Sequence, residues 1–135
     1  MRKITIIFIL LVLVSLGGCK KIPTTYASFD SIHIEHWSDV DEHLISDGLF
    51  FVYYYSPHCP DCKSIEADVA KFIYFNQKHY PIVLMKSMSV DEQGTPPIFL
   101  RGVPALLIYE NGVFKEMLLG PGNVMNYLMS IDNNN

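Results

Sequence analysis

Ser56-Pro57-His58-Cys59-Pro60-Asp61-Cys62-Lys63 separates two segments with different hydrophobic patterns. The apolar run Leu49–Tyr55 precedes it without polar alternation, which predicts a strand covered on both faces. A helical pattern over Pro60–Lys78 follows, with one apolar face formed by Ile65, Val69, Phe72 and Ile73. The two cysteines are therefore predicted to lie where a buried strand ends and a helix begins.

That position distinguishes the two thiols chemically. The first turn of a helix carries unpaired backbone N–H groups and the positive end of the helix dipole, and both favour a thiolate at Cys59. Cys62 lies about one turn further along and is expected to be more shielded from solvent. We therefore predict that Cys59 is the attacking nucleophile and that Cys62 resolves its mixed disulfides.

Three neighbouring residues are expected to tune the ionisation of this pair. Pro60 restricts the turn and suits the first helical position. Asp61 brings negative charge that opposes ionisation of Cys59, or is simply a residue typical of a helix start. His58 stabilises the thiolate when it is protonated, or is simply solvated at this exposed place.

Features further along the chain extend the pattern. Val103-Pro104 precedes a predicted strand, Asn111-Gly112 is the strongest two-residue hairpin signal, and Gly120 precedes the last predicted helix. Together with the strand, the Cys-Pro-Asp-Cys motif and the helix, these features resemble the thioredoxin-fold proteins over Phe29–Ile131. The resemblance implies an α/β domain with a central mixed β-sheet flanked by helices.

The resemblance also implies an activity and a substrate site. Proteins of this family are thiol–disulfide oxidoreductases whose redox group is the active-site disulfide, here Cys59–Cys62, so no further cofactor is expected. The proline that matches Pro104 is cis in the family and packs against that disulfide. The preceding residue, here Val103, offers its backbone to an extended substrate chain, which gives affinity with little demand on substrate sequence.

Two positions depart from thioredoxins proper. Tyr53 stands six residues before Cys59, where the family carries a buried aspartate used in proton transfer with the resolving cysteine. Tyrosine is a poor substitute near neutral pH, because its unperturbed pKa is about 10. Glu66 and Lys86 are the remaining candidates for a nearby ionisable group, or else are plain surface residues. His58 replaces the usual aromatic residue, and the motif is more similar to exported accessory thioredoxin-like proteins of Gram-positive bacteria, some linked to bacteriocin maturation.

Periodicity and turn signals predict the other elements. Strands are expected over Ser31–His36, Ile82–Lys86, Ala105–Tyr109 and Val113–Leu119. Helices are expected over Asp39–Ser46, where Ser38 and Asp41 resemble a capping box, and over Asn123–Ile131. Between these elements, Ser87–Gly102 is expected to form a shortened helix or an irregular loop, because it contains Gly94, Pro96 and Pro97.

The N-terminus carries an export pattern. Arg2-Lys3, an apolar segment over Ile4–Leu16 and small residues before Cys19 predict a lipoprotein signal peptide over residues 1–18. Leu16-Gly17-Gly18-Cys19 resembles a bacterial lipobox, which implies that Cys19 is lipidated and becomes the new N-terminus. An uncleaved membrane anchor is the alternative, but the apolar segment is shorter than the ~20 residues that span a bilayer. A linker over 19–28, a domain over 29–132 and a disordered tail over 133–135 are expected to follow.

A lipidated N-terminus implies a cell-membrane lipoprotein on the extracytoplasmic face, or one in the outer membrane where the organism has one. The expected partners are exported proteins with thiols or disulfides and a membrane redox partner, and the domain is expected to be a monomer. Of the 10 basic residues, Arg2 and Lys3 leave with the signal peptide, so 8 basic and 14 acidic residues remain, a net charge of −6. This balance, without a basic patch, argues against nucleic-acid binding.

Other classes of protein fit the pattern less well. A zinc module of the ribbon type needs two Cys-x-x-Cys or Cys/His pairs, and the chain has one, so no metal site is expected. A covalent haem needs His directly after Cys62, and Lys63 stands there. The main alternative is a redox-inactive binding or chaperone module that keeps the fold, against which the intact cysteine pair counts. The direction of electron flow stays open, because reduction potentials of such pairs range from about −270 to −120 mV.

Overall fold

The computed structural model of the protein describes residues 21–45, 47–96 and 98–133. The first element is a 3₁₀ helix over Tyr26–Ile32. The strands are β1 (His33–Ile34), β2 (Leu49–Tyr55), β3 (Ile82–Lys86), β4 (Ala105–Glu110) and β5 (Val113–Leu119). The helices are α1 (Asp39–His43), α2 (Pro60–Asn76), α3 (Val90–Gln93) and α4 (Pro121–Asp132).

The five strands form one mixed sheet in the order β1-β3-β2-β4-β5. β3 is parallel to both β1 and β2, whereas β4 is antiparallel to both β2 and β5. β2 is the central strand, in which Val52 pairs with Val83 on one side and with Leu107 on the other. The predicted α/β domain with a central mixed sheet flanked by helices is confirmed.

Both faces of β2 are buried, as its unbroken apolar run predicted. Phe51, Tyr53 and Tyr55 enter a core layer that also contains the apolar faces of α2 and α4. The intervening side chains of β2 enter a second layer, which contains Trp37. Because successive side chains of a strand point to opposite faces, a strand between two such layers has no room for polar alternation.

α2 begins at the residue that the sequence indicated. Pro60 occupies its first turn, where the missing N–H costs no hydrogen bond, and Cys59 is its N-terminal cap. The predicted apolar face is confirmed, because four of its residues are buried: Ile65, Val69, Phe72 and Ile73. The helix ends at Asn76, two residues before the predicted end.

A two-residue turn joins β4 to β5, as predicted. Asn111 and Gly112 have φ angles of 54° and 77°, and positive φ at both central residues is what a type I′ turn requires. The Asn111 side chain also accepts a hydrogen bond from the Gly48 N–H at 2.8 Å. The Asn111 N–H donates to the Gly48 carbonyl at 2.9 Å, so the turn is fastened to the segment that enters β2.

The chain before the sheet is more ordered than predicted. Tyr26–Ser28, which were expected to belong to the linker, form the start of the 3₁₀ helix. Tyr26 is only 4% exposed and lies in the same core layer as β2 and α2. The linker prediction is wrong at this end, because the polar Thr and Ser residues near Tyr26 gave no indication that this single aromatic side chain is buried in the core.

β1 and α1 are shorter than predicted. β1 contains only two residues. Its start is limited because the 3₁₀ helix occupies the chain up to Ile32. Beyond its end, the Trp37 N–H donates to the Gln93 carbonyl, 3.0 Å away, instead of to a strand. α1 ends at His43, where the chain becomes extended at the next residue. The predicted capping box is wrong, because the Ser38 side chain makes no cap bond. The Asp39 carboxylate instead accepts the His36 N–H at 3.1 Å.

The segment between β3 and β4 contains a short helix, as expected for a stretch rich in Pro and Gly. α3 is followed by a loop in which Gly94 has a φ of 77°. Gln93, at the end of α3, is 2% exposed. Its Oε1 accepts the Tyr54 hydroxyl at 3.3 Å and the Met88 N–H at 3.1 Å, and its Nε2 donates to the Lys86 carbonyl.

Several predictions fall on parts of the chain outside the described residues. These are the signal peptide over residues 1–18, the lipidation site Cys19 with the next linker residue, Ser46 at the end of a predicted helix, Pro97 in the predicted loop and the last two residues of the predicted tail. Across residues 21–45, 47–96 and 98–133, no helix is long and apolar enough to cross a membrane.

Candidate active site

Cys59 lies between the end of β2 and the start of α2. Its extended backbone, with φ −85° and ψ 120°, makes it the N-terminal cap of the helix. Its Sγ accepts a hydrogen bond from the Cys62 N–H at 3.3 Å, and its thiol lies 3.7 Å from the Val103 carbonyl oxygen. Cys59 is half-buried, so one thiol of the pair is accessible while held by a helix-start N–H of the kind that stabilises negative charge.

Val103 and Pro104 reach this site from a distant part of the chain. The peptide bond between them is cis, in agreement with the resemblance. β4 begins directly afterwards, and its first residue, Ala105, pairs with Tyr54 near the end of β2. The antiparallel pairing of β4 with β2 therefore brings the Val103 carbonyl to the Cys59 sulfur.

Cys62 differs from Cys59 in its surroundings. Its side chain is 1% exposed, and this burial raises the pKa of the Cys62 thiol to about 12. A backbone hydrogen bond with Ser56 lowers that pKa, whereas a hydrogen bond with Cys59 and the charges of Cys59 and Asp61 raise it. In the reduced protein Cys62 is therefore a protonated, shielded thiol around neutral pH.

Two tyrosines adjoin Cys62 in the core. The Tyr26 hydroxyl lies 2.8 Å from the Tyr53 hydroxyl and donates to the Cys62 carbonyl oxygen at 3.3 Å. Tyr53 is fully buried, and burial raises the pKa of both phenols well above the usual value. Tyr53 was recognised from the sequence as the residue in place of a family aspartate. Tyr26 was missed, because nothing in the sequence of the predicted linker indicates its partner 27 residues later.

A cleft of about 600 Å³ opens beside Cys62. Cys62, Glu66 and Lys86 all line it. The Glu66 Oε1 accepts the Tyr26 N–H at 2.9 Å, which ties the N-terminal segment to α2. The structure thus brings together with Cys62 both residues that the sequence left as candidate ionisable neighbours.

The other predicted tuning residues surround Cys59 at the surface. His58 and Asp61 are exposed, and the His58 backbone N–H donates to the Ser56 hydroxyl at 3.3 Å. Asp61 lies in the first turn of α2, and its negative charge helps to raise the pKa of Cys62. Among the residues that the structure describes, no group of three or more His, Cys, Asp or Glu side chains is placed to hold a metal ion.

The fold and this cysteine site define a protein of the thioredoxin class. The sequence profile described as Thioredoxin matches residues 31–130, and the chain therefore belongs to the thioredoxin family. This is a family of redox proteins, and the chain has two free cysteines, Cys59 and Cys62, close together. No curated protein sequence is significantly similar to this chain.

Solved thioredoxin structures share the fold at low sequence identity. Chlamydomonas reinhardtii thioredoxin f2 is 19% identical with a TM-score of 0.58, over 76% of this chain and 94% of that one. Plasmodium falciparum thioredoxin is 20% identical with a TM-score of 0.55, over 73% and 96%. Oxidised mitochondrial thioredoxin 3 from Saccharomyces cerevisiae is 16% identical with a TM-score of 0.56, over 76% and 98%. The likeness therefore covers nearly the whole length of each of these proteins.

Proposed function

We propose that this protein is a membrane-anchored thiol–disulfide oxidoreductase that acts on exported proteins outside the cytoplasm. The observation that carries the proposal is the position of Cys59, which caps α2 with its Sγ 3.3 Å from the Cys62 N–H. An accessible thiol is thus next to a stabilising N–H and one helical turn from a second, shielded thiol. That division suits Cys59 as nucleophile and Cys62 as resolving thiol.

The reaction in the reducing direction has two steps. The Cys59 thiolate attacks a substrate disulfide, so a bond from Cys59 to one substrate sulfur forms and the other substrate sulfur leaves with the electron pair. Cys62, once deprotonated, attacks the Cys59 sulfur, which closes the Cys59–Cys62 disulfide and releases the second substrate thiolate. The substrate gains two electrons and the cysteine pair loses two. The same steps in reverse oxidise a substrate dithiol.

Val103 and Pro104 are proposed to form the substrate site. The Val103 carbonyl is 3.7 Å from the Cys59 thiol, so a peptide joined to Cys59 would run alongside this backbone. Hydrogen bonds from backbone to backbone would hold substrates of many sequences. His58, Pro60 and Asp61 flank the nucleophile and are proposed to tune the pair.

The location outside the cytoplasm is proposed from the N-terminal sequence. Cys19 would carry the lipid, and residues 20–25 would separate it from the 3₁₀ helix that begins at Tyr26. Six residues reach at most about 20 Å when fully extended. The monomeric domain would thus stay close to the membrane, where it meets emerging exported proteins and a membrane redox partner. Disulfides persist in that compartment and need catalysts.

Trapping of substrates tests the proposal. Cys62→Ala leaves a mixed disulfide on Cys59 without an internal attacker, so exported proteins should accumulate covalently bound and be released by reductant. Cys59→Ala should trap nothing, because the remaining thiol is 1% exposed. Both variants keep Cys19, so any background from that residue is the same in the two samples.

The outcomes separate the alternatives. Trapping by Cys59→Ala but not by Cys62→Ala would reverse the two roles. If neither variant traps a partner and the wild type neither reduces nor oxidises a disulfide, the protein is a binding or chaperone module.

A further inference from the structure

Cys62 must lose its proton before it attacks a mixed disulfide on Cys59, because the thiolate is the nucleophile. Its side chain is 1% exposed, so solvent has little direct access to it. The neighbouring phenols cannot take the proton: a neutral phenol is a very weak base. The Tyr26 hydroxyl already donates to the Cys62 carbonyl, and the Tyr53 hydroxyl lies 2.8 Å from Tyr26.

The cleft beside Cys62 offers a route to other groups. Its volume of about 600 Å³ is large enough for several water molecules, since each occupies about 30 Å³ in the liquid. Cys62, Tyr26 and Glu66 line it. Six other titratable side chains line the cleft, and they come from the 3₁₀ helix, the segment of β1, β2, α2 and β3. They are Asp30, His33, Glu35, Tyr55, Lys63 and Lys86.

Most of these groups cannot accept a proton from Cys62. Lysine ammonium groups are donors only, which excludes both lysines of the cleft. Both ring nitrogens of His33 have partners, because Nδ1 lies 3.1 Å from the Phe29 carbonyl oxygen and Nε2 lies 2.9 Å from the Tyr55 hydroxyl. A neutral phenol such as Tyr55 is a very weak base, so the acceptors that remain are the carboxylates of Asp30, Glu35 and Glu66.

Glu66 is the best placed of the three carboxylates. It is half-buried, whereas Asp30 and Glu35 are exposed. It follows Cys62 by four positions in α2, so the two side chains lie on the same face of the helix. The bond from the Tyr26 N–H to Oε1, 2.9 Å long, holds the carboxylate in place.

We propose that Glu66 accepts the proton of Cys62, through water in the cleft, when the mixed disulfide is resolved. The inference rests on the proposed function and assigns one further residue to it. The S–H bond of Cys62 breaks and its proton reaches the Glu66 carboxylate, while the sulfur attacks Cys59. The Cys59–Cys62 bond forms, the substrate thiolate leaves with the electron pair, and Glu66 then gives its proton to solvent.

The timing of this transfer follows from the surroundings of Cys62. In the reduced protein, a hydrogen bond and the charge of Cys59 help to raise the pKa of Cys62. Both causes disappear once Cys59 is bonded to a substrate sulfur, because a disulfide sulfur carries neither a charge nor a proton. Cys62 therefore becomes easier to deprotonate at the step where its thiolate is needed.

Stopped-flow reaction of the reduced full-length protein with a chromogenic aryl disulfide separates the two steps. Attack by Cys59 releases the first chromophore, and resolution by Cys62 releases the second, which Cys62→Ala abolishes. A variant in which Cys59 and Cys62 are both replaced by Ala supplies the baseline, which includes any release by Cys19. Glu66→Gln keeps an oxygen for the Tyr26 N–H and removes the base. It should slow the second phase by about 100-fold, the lower range for loss of a general base, and leave the first phase unchanged.

The pH profile and a matched variant distinguish proton transfer from a structural role. In Glu66→Gln the second phase should rise in proportion to hydroxide concentration, and more steeply than in the wild type. Glu35→Gln removes the same charge from the same cleft and should leave both phases unchanged. If Glu66→Gln does not fold, Glu66→Asp keeps a carboxylate and should keep the shape of the wild-type profile.

Failure of this inference differs from failure of the proposed function. If the wild type shows two phases and the second phase has the same rate in Glu66→Gln and Glu35→Gln, the role of Glu66 is overturned and the proposed function is not. A wild type whose release does not exceed the baseline of the double cysteine variant would overturn both.

Discussion

The hydroxyl oxygens of Tyr26 and Tyr53 lie 2.8 Å apart in the core next to Cys62. Tyr53 belongs to the central strand, and Tyr26 belongs to the short helix that precedes the sheet. Because the Tyr26 hydroxyl gives its only proton to the Cys62 carbonyl, the Tyr53 hydroxyl donates to Tyr26. The N-terminal segment thereby becomes part of the support of the active site.

The direction of this hydrogen-bond chain predicts unequal effects of removing each hydroxyl. Tyr26→Phe leaves the fully buried Tyr53 hydroxyl without its acceptor, which should cost about 1–3 kcal/mol of unfolding free energy. Tyr53→Phe leaves Tyr26 bonded to the Cys62 carbonyl and should cost less, about 0.5–1.5 kcal/mol. Urea unfolding of both variants and of the double variant measures the two losses and their coupling. An equal loss in the two single variants would contradict the assigned direction.

Gln93 should be the most sensitive polar residue between β3 and β4. Gln93→Met keeps a similar volume but leaves the Tyr54 hydroxyl, the Met88 N–H and the Lys86 carbonyl without their partner. We expect a loss of about 2–3 kcal/mol in unfolding free energy, because unpaired buried groups keep their desolvation penalty. Urea unfolding measures it, with Asp91→Asn on the exposed side of the same short helix as the control. Equal midpoints for the two variants would show that this network contributes nothing to stability.

The sequence was sufficient for the parts of the fold that rest on strong local signals. The strand over Leu49–Tyr55, the helix start at Pro60 and the Asn111-Gly112 turn each follow from a pattern that the neighbouring residues reinforce. The position of Cys59 at a helix start was predictable for the same reason. Its contact with Val103 was expected only from the family resemblance, because no local pattern specifies a contact 44 residues away.

The parts that the sequence did not predict depend on single side chains that reach distant partners. Tyr26 lies in a polar segment without periodicity, yet its hydroxyl and its N–H bind Cys62 and Glu66. Gln93 lies in a segment predicted only as a shortened helix or an irregular loop, yet its side chain bonds to Tyr54, Met88 and Lys86. Such contacts exist only after the sheet has formed, so the local propensities of the sequence do not predict them.

Membrane attachment is predicted to depend on one sulfur atom. Cys19→Ala removes the proposed lipid-bearing thiol, so the protein should move from the membrane fraction to the soluble extracytoplasmic fraction. The folded domain should be unaffected, because residue 19 precedes its first helix at Tyr26 by seven positions. Fractionation with detection of the protein measures the change, and Ser15→Ala in the apolar part of the signal peptide is the control. A Cys19→Ala protein that stays with membranes at the wild-type level would show that the lipobox interpretation is wrong.

The buried thiol predicts that the reduced protein loses stability in alkaline solution. Burial raises the pKa of Cys62 from 9.0 to about 12, so the folded state binds its proton more tightly than the unfolded state does. This contribution to stability is complete below about pH 9 and is lost as the pH rises towards 12. The largest slope for one such group is about 1.4 kcal/mol per pH unit.

Cys62→Ala isolates this effect from that of the tyrosines. Burial also raises the pKa values of Tyr26, Tyr53 and Tyr109, so both proteins should become less stable at still higher pH. The difference in unfolding free energy, wild type minus Cys62→Ala, should therefore be constant below about pH 9 and should shrink above it. Urea unfolding under reductant at several pH values measures this difference. A difference that does not change between neutral and alkaline pH would mean that Cys62 titrates alike in the folded and unfolded states, and the shielded thiol proposed for the resolving step would then be excluded.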